Sequence, residues 1–110
     1  DDRIRFLGWK TGDELLDYLC ASDLYLQPGT QSATMQNAVC CRNAVAVYPY
    51  PSHKALLEDR AFYIESTQDI ERLLRDVVRD TDALESKRRE LYRMALEVLD
   101  YRVLAARLYR

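Results

Sequence analysis

The amino-acid sequence predicts an α/β fold with three layers, a parallel sheet of about four strands flanked by helices on both faces, in one domain of 110 residues. Short apolar runs that suit buried strands alternate with longer stretches of helical periodicity. The stretch from residue 22 to residue 47 reads as strand, loop, helix and strand, and such a crossover makes the two strands parallel. An apolar content of 48% and a charged content of 31% fit a globular domain with a buried core.

The first predicted strand covers residues 3–7, where polar and apolar residues alternate as in a half-buried strand. Thr11 and Glu14 form a capping box, so a helix is expected to follow and to end near Ala21. The second strand is expected at residues 23–26. The apolar face of the helix between them consists of Leu15, Leu16, Leu19 and Cys20.

The next helix completes the crossover. Pro28 and Gly29 end the second strand, because proline lacks a ladder donor and glycine tolerates open dihedral angles. Thr30 or Ser32 then caps a helix that runs to about Arg42.

Beyond this helix the chain returns to the sheet. Asn43 is the expected C-terminal cap, and residues 44–48 form the third strand. Two prolines separated by one residue make residues 48–54 a loop, and a short helix is expected at residues 53–58. The fourth strand is expected at residues 61–64.

Two long helices follow the fourth strand. Ser66 or Thr67 caps the first, which gives the strongest periodic signal in the sequence. Its apolar residues are Ile70, Leu73, Leu74, Val77 and Val78. The second starts at Thr81 and buries a stripe of Leu84, Leu91, Ala95 and Val98. Residues 102–109 are predicted to form a last helix.

The helix that starts at Thr81 also carries a basic run. It consists of Lys87, Arg88, Arg89 and Arg93. Contact with phosphates or with a membrane surface is one interpretation. A solvated helix face balanced by Glu85 and Glu90 is the favoured one.

Composition limits the partners and the location. The net charge of −2 gives no general electrostatic case for nucleic acid, and no apolar run approaches the roughly 18 residues of a membrane-spanning helix. Three cysteines, an odd number, argue against a disulfide framework and for a reducing compartment. Cys20 and Cys40 are interpreted as small buried apolar residues. Because the chain opens at a strand without a leader, we expect it to be a fragment of a longer protein.

The candidate site lies at the carboxyl ends of the parallel strands, where open sheets bind ligands. Residues 28–37 reach this edge, are rich in amides and hydroxyls, and carry no charge. In the loop after the third strand, Tyr48 and Tyr50 either stack on a base or sugar or cap the edge of the core. His53 either contacts phosphate or sugar or belongs to the first turn of the short helix. One histidine without clustered carboxylates predicts no metal site.

This crossover resembles the C-terminal domain of family 4 glycosyltransferases, which have the GT-B fold with a Rossmann-like donor-binding domain. The family pattern is approximately A-D-x-x-x-x-P-S-x-x-E-G followed by E-A-M-A-x-G-x-P-V-V-A. Residues 21–23 and 28–29 correspond to its first half, and residues 37–40 and 44–46 to its second. The flanking segments that agree with family strands and helices are residues 3–8, 12–15, 62–64 and 67–78.

The sequence departs from the family at two glutamates that lie near the donor sugar and the ribose. The nearest equivalents are Gln31 and Asn37, which keep hydrogen-bonding capacity but lose the charge and any acid–base role. The resemblance implies a donor site made of Gly29, Thr30, Gln31, Ser32, Ala33, Thr34 and Asn37. It places beside that site a crevice loop with Tyr50, Ser52 and His53, and no catalytic residue is assigned.

The resemblance implies a glycosyltransferase of polysaccharide or glycoconjugate biosynthesis. The longer parent would transfer a sugar from a nucleotide-sugar, which is a substrate, to a glycan or lipid-linked acceptor, without a metal or other cofactor. The fragment alone is expected to be inactive. The parent is expected in the cytoplasm, with peripheral attachment to a membrane left open. Without its family neighbours, the strand at residues 3–7 would pair with the second strand or with another copy in a homodimer.

Two other interpretations compete with this one. The first is a degenerate, non-catalytic glycosyltransferase-like module that binds a nucleotide or a protein partner, which the exchange of glutamates for amides favours. The second is a flavodoxin-like regulatory domain, which is less favoured because the strand ends lack the clustered acidic residues of a phosphoacceptor pocket.

Overall fold

The structure, a computed structural model, describes residues 2–29 and 34–98. These residues form a parallel sheet of three strands and five α-helices, which confirms the α/β class. The strands are β1 (Leu24–Gln27), β2 (Ala44–Val47) and β3 (Phe62–Tyr63). The helices are α1 (Gly12–Ala21), α2 (Thr34–Cys40), α3 (Pro51–Leu57), α4 (Thr67–Arg79) and α5 (Thr81–Val98).

The sheet has the order β1-β2-β3, with β2 in the centre. Leu24 pairs with Ala44 in the first ladder, and Ala46 pairs with Phe62 in the second. Both ladders are parallel, because α2 and α3 each carry the chain back before the next strand begins. The crossover predicted for residues 22–47 is therefore confirmed.

Helices cover both faces of this sheet. On one face, Val45 and Val47 of β2 lie in a core cluster with residues of α1, α2, α3 and α5. On the other face, Ala46 lies in a second cluster with Ile64 and with Leu73 of α4. Successive residues of β2 thus face opposite layers, which explains why the strand is apolar throughout and buried at each position.

The predicted strand at residues 3–7 is wrong. No ladder includes these residues, and in the described part of the chain β1 pairs with β2 alone. Their side chains are exposed, with Phe6 at 98% of its full accessibility, and Trp9 just beyond them is also at 98%. Alternating polar and apolar residues give an extended segment one apolar side. The segment becomes a strand only when a neighbouring strand accepts and donates its backbone hydrogen bonds.

Two helix caps were predicted correctly. The Thr11 hydroxyl accepts a hydrogen bond from the Glu14 backbone N–H at 3.3 Å at the start of α1. The Ser66 hydroxyl accepts one from the Asp69 backbone N–H at 3.2 Å at the start of α4. Each cap satisfies an amide that has no partner within the helix.

The end of α2 differs from the prediction, because Arg42 and not Asn43 takes the left-handed conformation, with φ at 67°. The Asn43 N–H donates to the Ala38 carbonyl at 3.0 Å, and the Arg42 N–H donates to the Val39 carbonyl at 3.1 Å. This pair of bonds is a Schellman motif, in which the residue usually found in the left-handed position is glycine. The side chain of Asn43 points into the core instead and is fully buried.

The short helix after β2 starts earlier than predicted. α3 begins at Pro51, so the loop ends at Tyr50 instead of running to residue 54. Proline is well suited to the first helical position, because its missing N–H has no helical partner there and its φ is already helical. The predicted caps Thr30 and Ser32, and the predicted helix at residues 102–109, lie outside the described residues.

Candidate functional site

The loops after β1 and β2 leave the sheet side by side at its carboxyl edge. The Tyr48 backbone N–H donates to the Gln27 carbonyl at 3.3 Å, which extends the ladder by one residue beyond Val47. The Tyr25 hydroxyl donates to the Gln27 side-chain oxygen at 2.6 Å. Burial raises the pKa of Tyr25, which favours the protonated hydroxyl that donates this bond. These contacts fix the position at which the two loops separate.

Three of the predicted donor-binding residues lie at this edge. Gly29 is exposed two residues after β1, Thr34 is the first residue of α2 and is half-buried, and Asn37 is exposed on the same helix. Asn37 faces outward because the helix turns Met35 and Ala38 toward the core. The other four predicted residues lie outside the described part of the chain: Thr30, Gln31, Ser32 and Ala33.

Three rings line the second loop. The centroids of the Tyr48 and Tyr50 rings are 4.8 Å apart, and those of the Tyr50 and His53 rings are 5.4 Å apart in an edge-on arrangement. Tyr48 is 37% exposed, and Ser52 is exposed at the start of α3. Partly exposed tyrosine faces can stack on a nucleobase or a sugar.

His53 belongs to the first turn of α3, and it is buried. Its ring Nδ1 lies 2.7 Å from the Tyr48 carbonyl oxygen. A carbonyl only accepts, so Nδ1 carries the hydrogen of this bond in either charge state of the ring. His53 thereby ties the start of α3 back to the end of β2 and orders the loop that carries Tyr50.

The part of the carboxyl edge formed by β1 and β2 has no acidic groups. No aspartate or glutamate occurs from Leu24 to Leu57, the stretch that contains both strands and the loops after them, whereas Glu65 follows the neighbouring strand β3. The described residues of the two loops and of the first turn of α3 offer amides, hydroxyls, aromatic faces and the His53 ring. This set suits the recognition of hydroxyl-rich and aromatic ligands better than proton transfer by a carboxylate.

A groove of about 200 Å³ lies near the opposite, amino edge of the sheet. It is lined by Arg42, Glu85, Arg88, Arg89 and Tyr92. The Arg42 guanidinium carbon lies 4.4 Å from the centre of the Tyr92 ring, a cation–π distance. This pairing escaped the sequence analysis because the two residues are fifty positions apart.

Arg88 supports the turn that carries Arg42. Its Nε donates to the Arg42 carbonyl oxygen at 2.8 Å, and its Nη1 donates to a Glu85 carboxylate oxygen at 2.6 Å. A carboxylate oxygen of Asp23 also lies 3.7 Å from the same Arg88 Nη1. The pair with Glu85 agrees with the predicted balance of charge on α5, while the bond to the backbone was not predicted.

The interpretation of Cys20 and Cys40 as buried residues is wrong. Both are exposed, and the Sγ atoms of Cys20 and Cys41 lie 3.3 Å apart. Cys20 lies in the last turn of α1 and Cys41 follows the last residue of α2, so the helix ends bring the thiols together. Burial raises the pKa of Cys41 to about 11, and the bond to Cys20 and the charges of Cys20 and Cys40 act in the same direction.

The described residues contain neither a metal-binding cluster nor a membrane-spanning helix. No group of three or more histidine, cysteine, aspartate or glutamate side chains there is arranged to hold a metal ion. None of the helices in that part of the chain is both long and apolar enough to cross a membrane.

Comparisons of this chain with protein-family models, with curated proteins and with solved structures found no match.

Proposed function

We propose that the carboxyl edge of the sheet binds a nucleotide-sugar, and that the chain is the later part of a Rossmann-like donor domain of a glycosyltransferase of the GT-B kind. The longer parent would transfer the sugar to a glycan or lipid-linked acceptor in glycoconjugate or polysaccharide assembly. One observation carries the proposal: the loops after β1 and β2 leave the sheet together, with the Gln27 side-chain amide at the end of one strand and aromatic rings after the other. Ligands of open parallel sheets bind at this edge.

Each group has a role in the proposed complex. The partly exposed face of Tyr48 or Tyr50 stacks on the base or on the sugar, and the Asn37 amide bonds to ribose or sugar hydroxyls. His53 holds the second loop through the Tyr48 carbonyl, so that the rings are ordered before the donor arrives. The reaction needs no metal in this proposal, and another part of the parent binds the acceptor.

The lack of acidic residues from Leu24 to Leu57 favours a second candidate, a glycosyltransferase-like module that binds a nucleotide or a protein without transferring sugar. The two candidates share the binding site and differ in turnover. An assay of sugar transfer and donor hydrolysis by the longer parent separates them, because the module binds the donor but gives neither product.

Binding is tested on the chain itself. We would titrate the isotopically labelled chain with UDP-glucose, GDP-mannose and ADP-glucose and follow amide chemical shifts. The expected result is perturbation of Gly29, Asn37 and Tyr50 by one donor, with affinity reduced roughly fivefold in Asn37→Ala because one hydrogen bond is lost. Gln68→Ala is the matched control, since it removes an exposed amide from α4, which packs on the other face of the sheet from α2. If no donor perturbs these residues at millimolar concentration, the donor-site proposal is wrong.

A further inference from the structure

We infer that Cys20 and Cys41 are a reversible thiol–disulfide pair, a redox modification site whose oxidised form joins the C-terminal end of α1 to that of α2. Their sulfur atoms are 3.3 Å apart, close enough for a bond to form with small side-chain rotations. The inference does not depend on the proposed donor site.

Buried contacts beside both cysteines hold the two helix ends together. Leu19 precedes Cys20 and is buried, and its carbonyl oxygen accepts a hydrogen bond from Asn43 Nδ2 at 2.5 Å. Asn43 is itself fully buried, and the Schellman motif fixes the backbone between it and Cys41. The core therefore sets the positions of the two helix ends that bring the sulfur atoms together.

The two thiols differ in accessibility, which assigns them different roles. Cys20 is exposed and can meet an oxidant, whereas Cys41 is half-buried. Burial, with Cys20 as a second cause, raises the pKa of Cys41 to about 11, so Cys41 forms a thiolate less readily than an ordinary cysteine. The exposed Cys20 therefore meets the oxidant first, and Cys41, whose sulfur atom lies 3.3 Å away, completes the exchange.

The chemistry is two thiol–disulfide exchanges with a small disulfide such as oxidised glutathione. The Cys20 thiolate attacks one glutathione sulfur, forms a mixed disulfide and releases one glutathione thiolate. The Cys41 thiolate then attacks Cys20 Sγ and releases the second. In total, two protein thiols are oxidised, one glutathione disulfide is reduced to two glutathione molecules, and the two thiol protons end on the released sulfurs.

Cys40 is placed differently. It lines a cleft of about 160 Å³ together with Tyr92, Ala95 and Leu96 of α5. Adjacent residues near a helix end point roughly 100° apart, so Cys40 is directed toward α5 while Cys41 faces α1. This difference makes Cys40 the matched control for the pair.

The bridge closes the part of the chain that contains β1 and α2. Joining the ends of such a segment removes conformations from the unfolded chain and raises the stability of the folded one. In the reduced chain, α1 is held against α2 by noncovalent contacts. Oxidation would attach α1 to α2 covalently as well.

The test is equilibration of the chain with mixtures of reduced and oxidised glutathione, acid quenching, alkylation and peptide mass spectrometry. We expect a bridge between Cys20 and Cys41 at least tenfold more abundant than bridges to Cys40, and an unfolding midpoint raised by roughly 10 °C in the bridged form. In Cys40→Ser the bridge and the shift persist, and in Cys20→Ser both are lost.

Three results would overturn the inference. They are a mixture of bridges without preference, glutathionylation that stops at the mixed disulfide, and a bridged form no more stable than the reduced one. Because the mapping is done on the unaltered chain, a variant that fails to fold does not affect the conclusion. Circular dichroism of each variant before oxidation identifies such a case.

Discussion

At the scale of the residue, backbone conformation is the most informative feature. In the described chain, Arg42 and Glu58 are the residues other than glycine with a positive φ, at 67° and 51°. Side chains with a Cβ atom rarely adopt these angles, because Cβ approaches the following carbonyl oxygen. Both residues follow a helix, where the chain must reverse before the next strand begins.

Replacement of Arg42 separates strain from side-chain contact. Arg42→Gly and Arg42→Ala both remove the stacking on Tyr92, but only glycine relieves the left-handed backbone. We expect the glycine variant to be more stable than the alanine variant by about 1 kcal/mol, measured by urea denaturation. Equal stability would show that residue 42 does not adopt the left-handed conformation.

Glu58 offers a second test at the same scale. With φ 51° and ψ −126°, and with the Arg60 N–H bonded to the Leu57 carbonyl at 2.9 Å, it occupies the position of a type II′ turn that glycine prefers. Glu58→Gly should raise the free energy of unfolding by about 1 kcal/mol.

The control is Glu58→Ala. It removes the ion pair with Arg60, which is 3.7 Å long and exposed and so contributes little, while it leaves the strained backbone unchanged. Its stability should stay within about 0.5 kcal/mol of the original chain. A gain in the alanine variant equal to that in the glycine variant would contradict the argument from strain.

At the scale of the element, local sequence signals were the most reliable. Ser66 caps α4, and Asp69 returns a second bond by accepting the Glu65 N–H at 2.8 Å. These bonds join residues at most four positions apart, so the sequence alone contains both partners. The start of a helix capped in this way can therefore be predicted from residues that are close together in the sequence.

The cap at Ser66 gives a prediction for this scale. Ser66→Ala should lower the free energy of unfolding by about 1 kcal/mol, because the Asp69 N–H loses its acceptor. Ser66→Thr keeps the hydroxyl and should lie within a few tenths of a kcal/mol of the original chain. The measurement is thermal unfolding followed by circular dichroism. A threonine variant as unstable as the alanine variant would show that the hydroxyl is not the stabilising group.

At the scale of the whole molecule, the segment before α1 has no place in the sheet. Its apolar side chains Ile4 and Phe6 are exposed, as is Trp9 after them. The protein has one tryptophan, so its fluorescence reports on this segment alone. If the predicted homodimer forms through a sheet edge, a second copy of the chain would cover these side chains.

The expected result is emission typical of a solvated indole at low protein concentration, with little change while circular dichroism follows cooperative unfolding. Trp9 contributes almost nothing to the core, so unfolding hardly alters its surroundings. A blue shift as concentration rises, together with a dimer in sedimentation, would support pairing of the segment with another copy. A blue shift at all concentrations without a dimer would contradict the exposed position of Trp9.

The sequence by itself determined the elements whose signals are local. The periodicity of α4, the caps Thr11 and Ser66, and the apolar runs of β1 and β2 depend on residues a few positions apart, and the length of the crossover made the strands parallel. The candidate edge followed from the same crossover, and its ligand remains a proposal.

Only the tertiary structure decided which distant groups meet. A strand at residues 3–7 requires a neighbour, and the left-handed backbone at Arg42 follows from the direction in which α2 must deliver the chain to β2. The contact between the Cys20 and Cys41 thiols depends on how two helices end against each other. The physical reason is common to these cases: backbone pairing and side-chain contacts join groups far apart in sequence, and local propensity carries no information about which partner will be present.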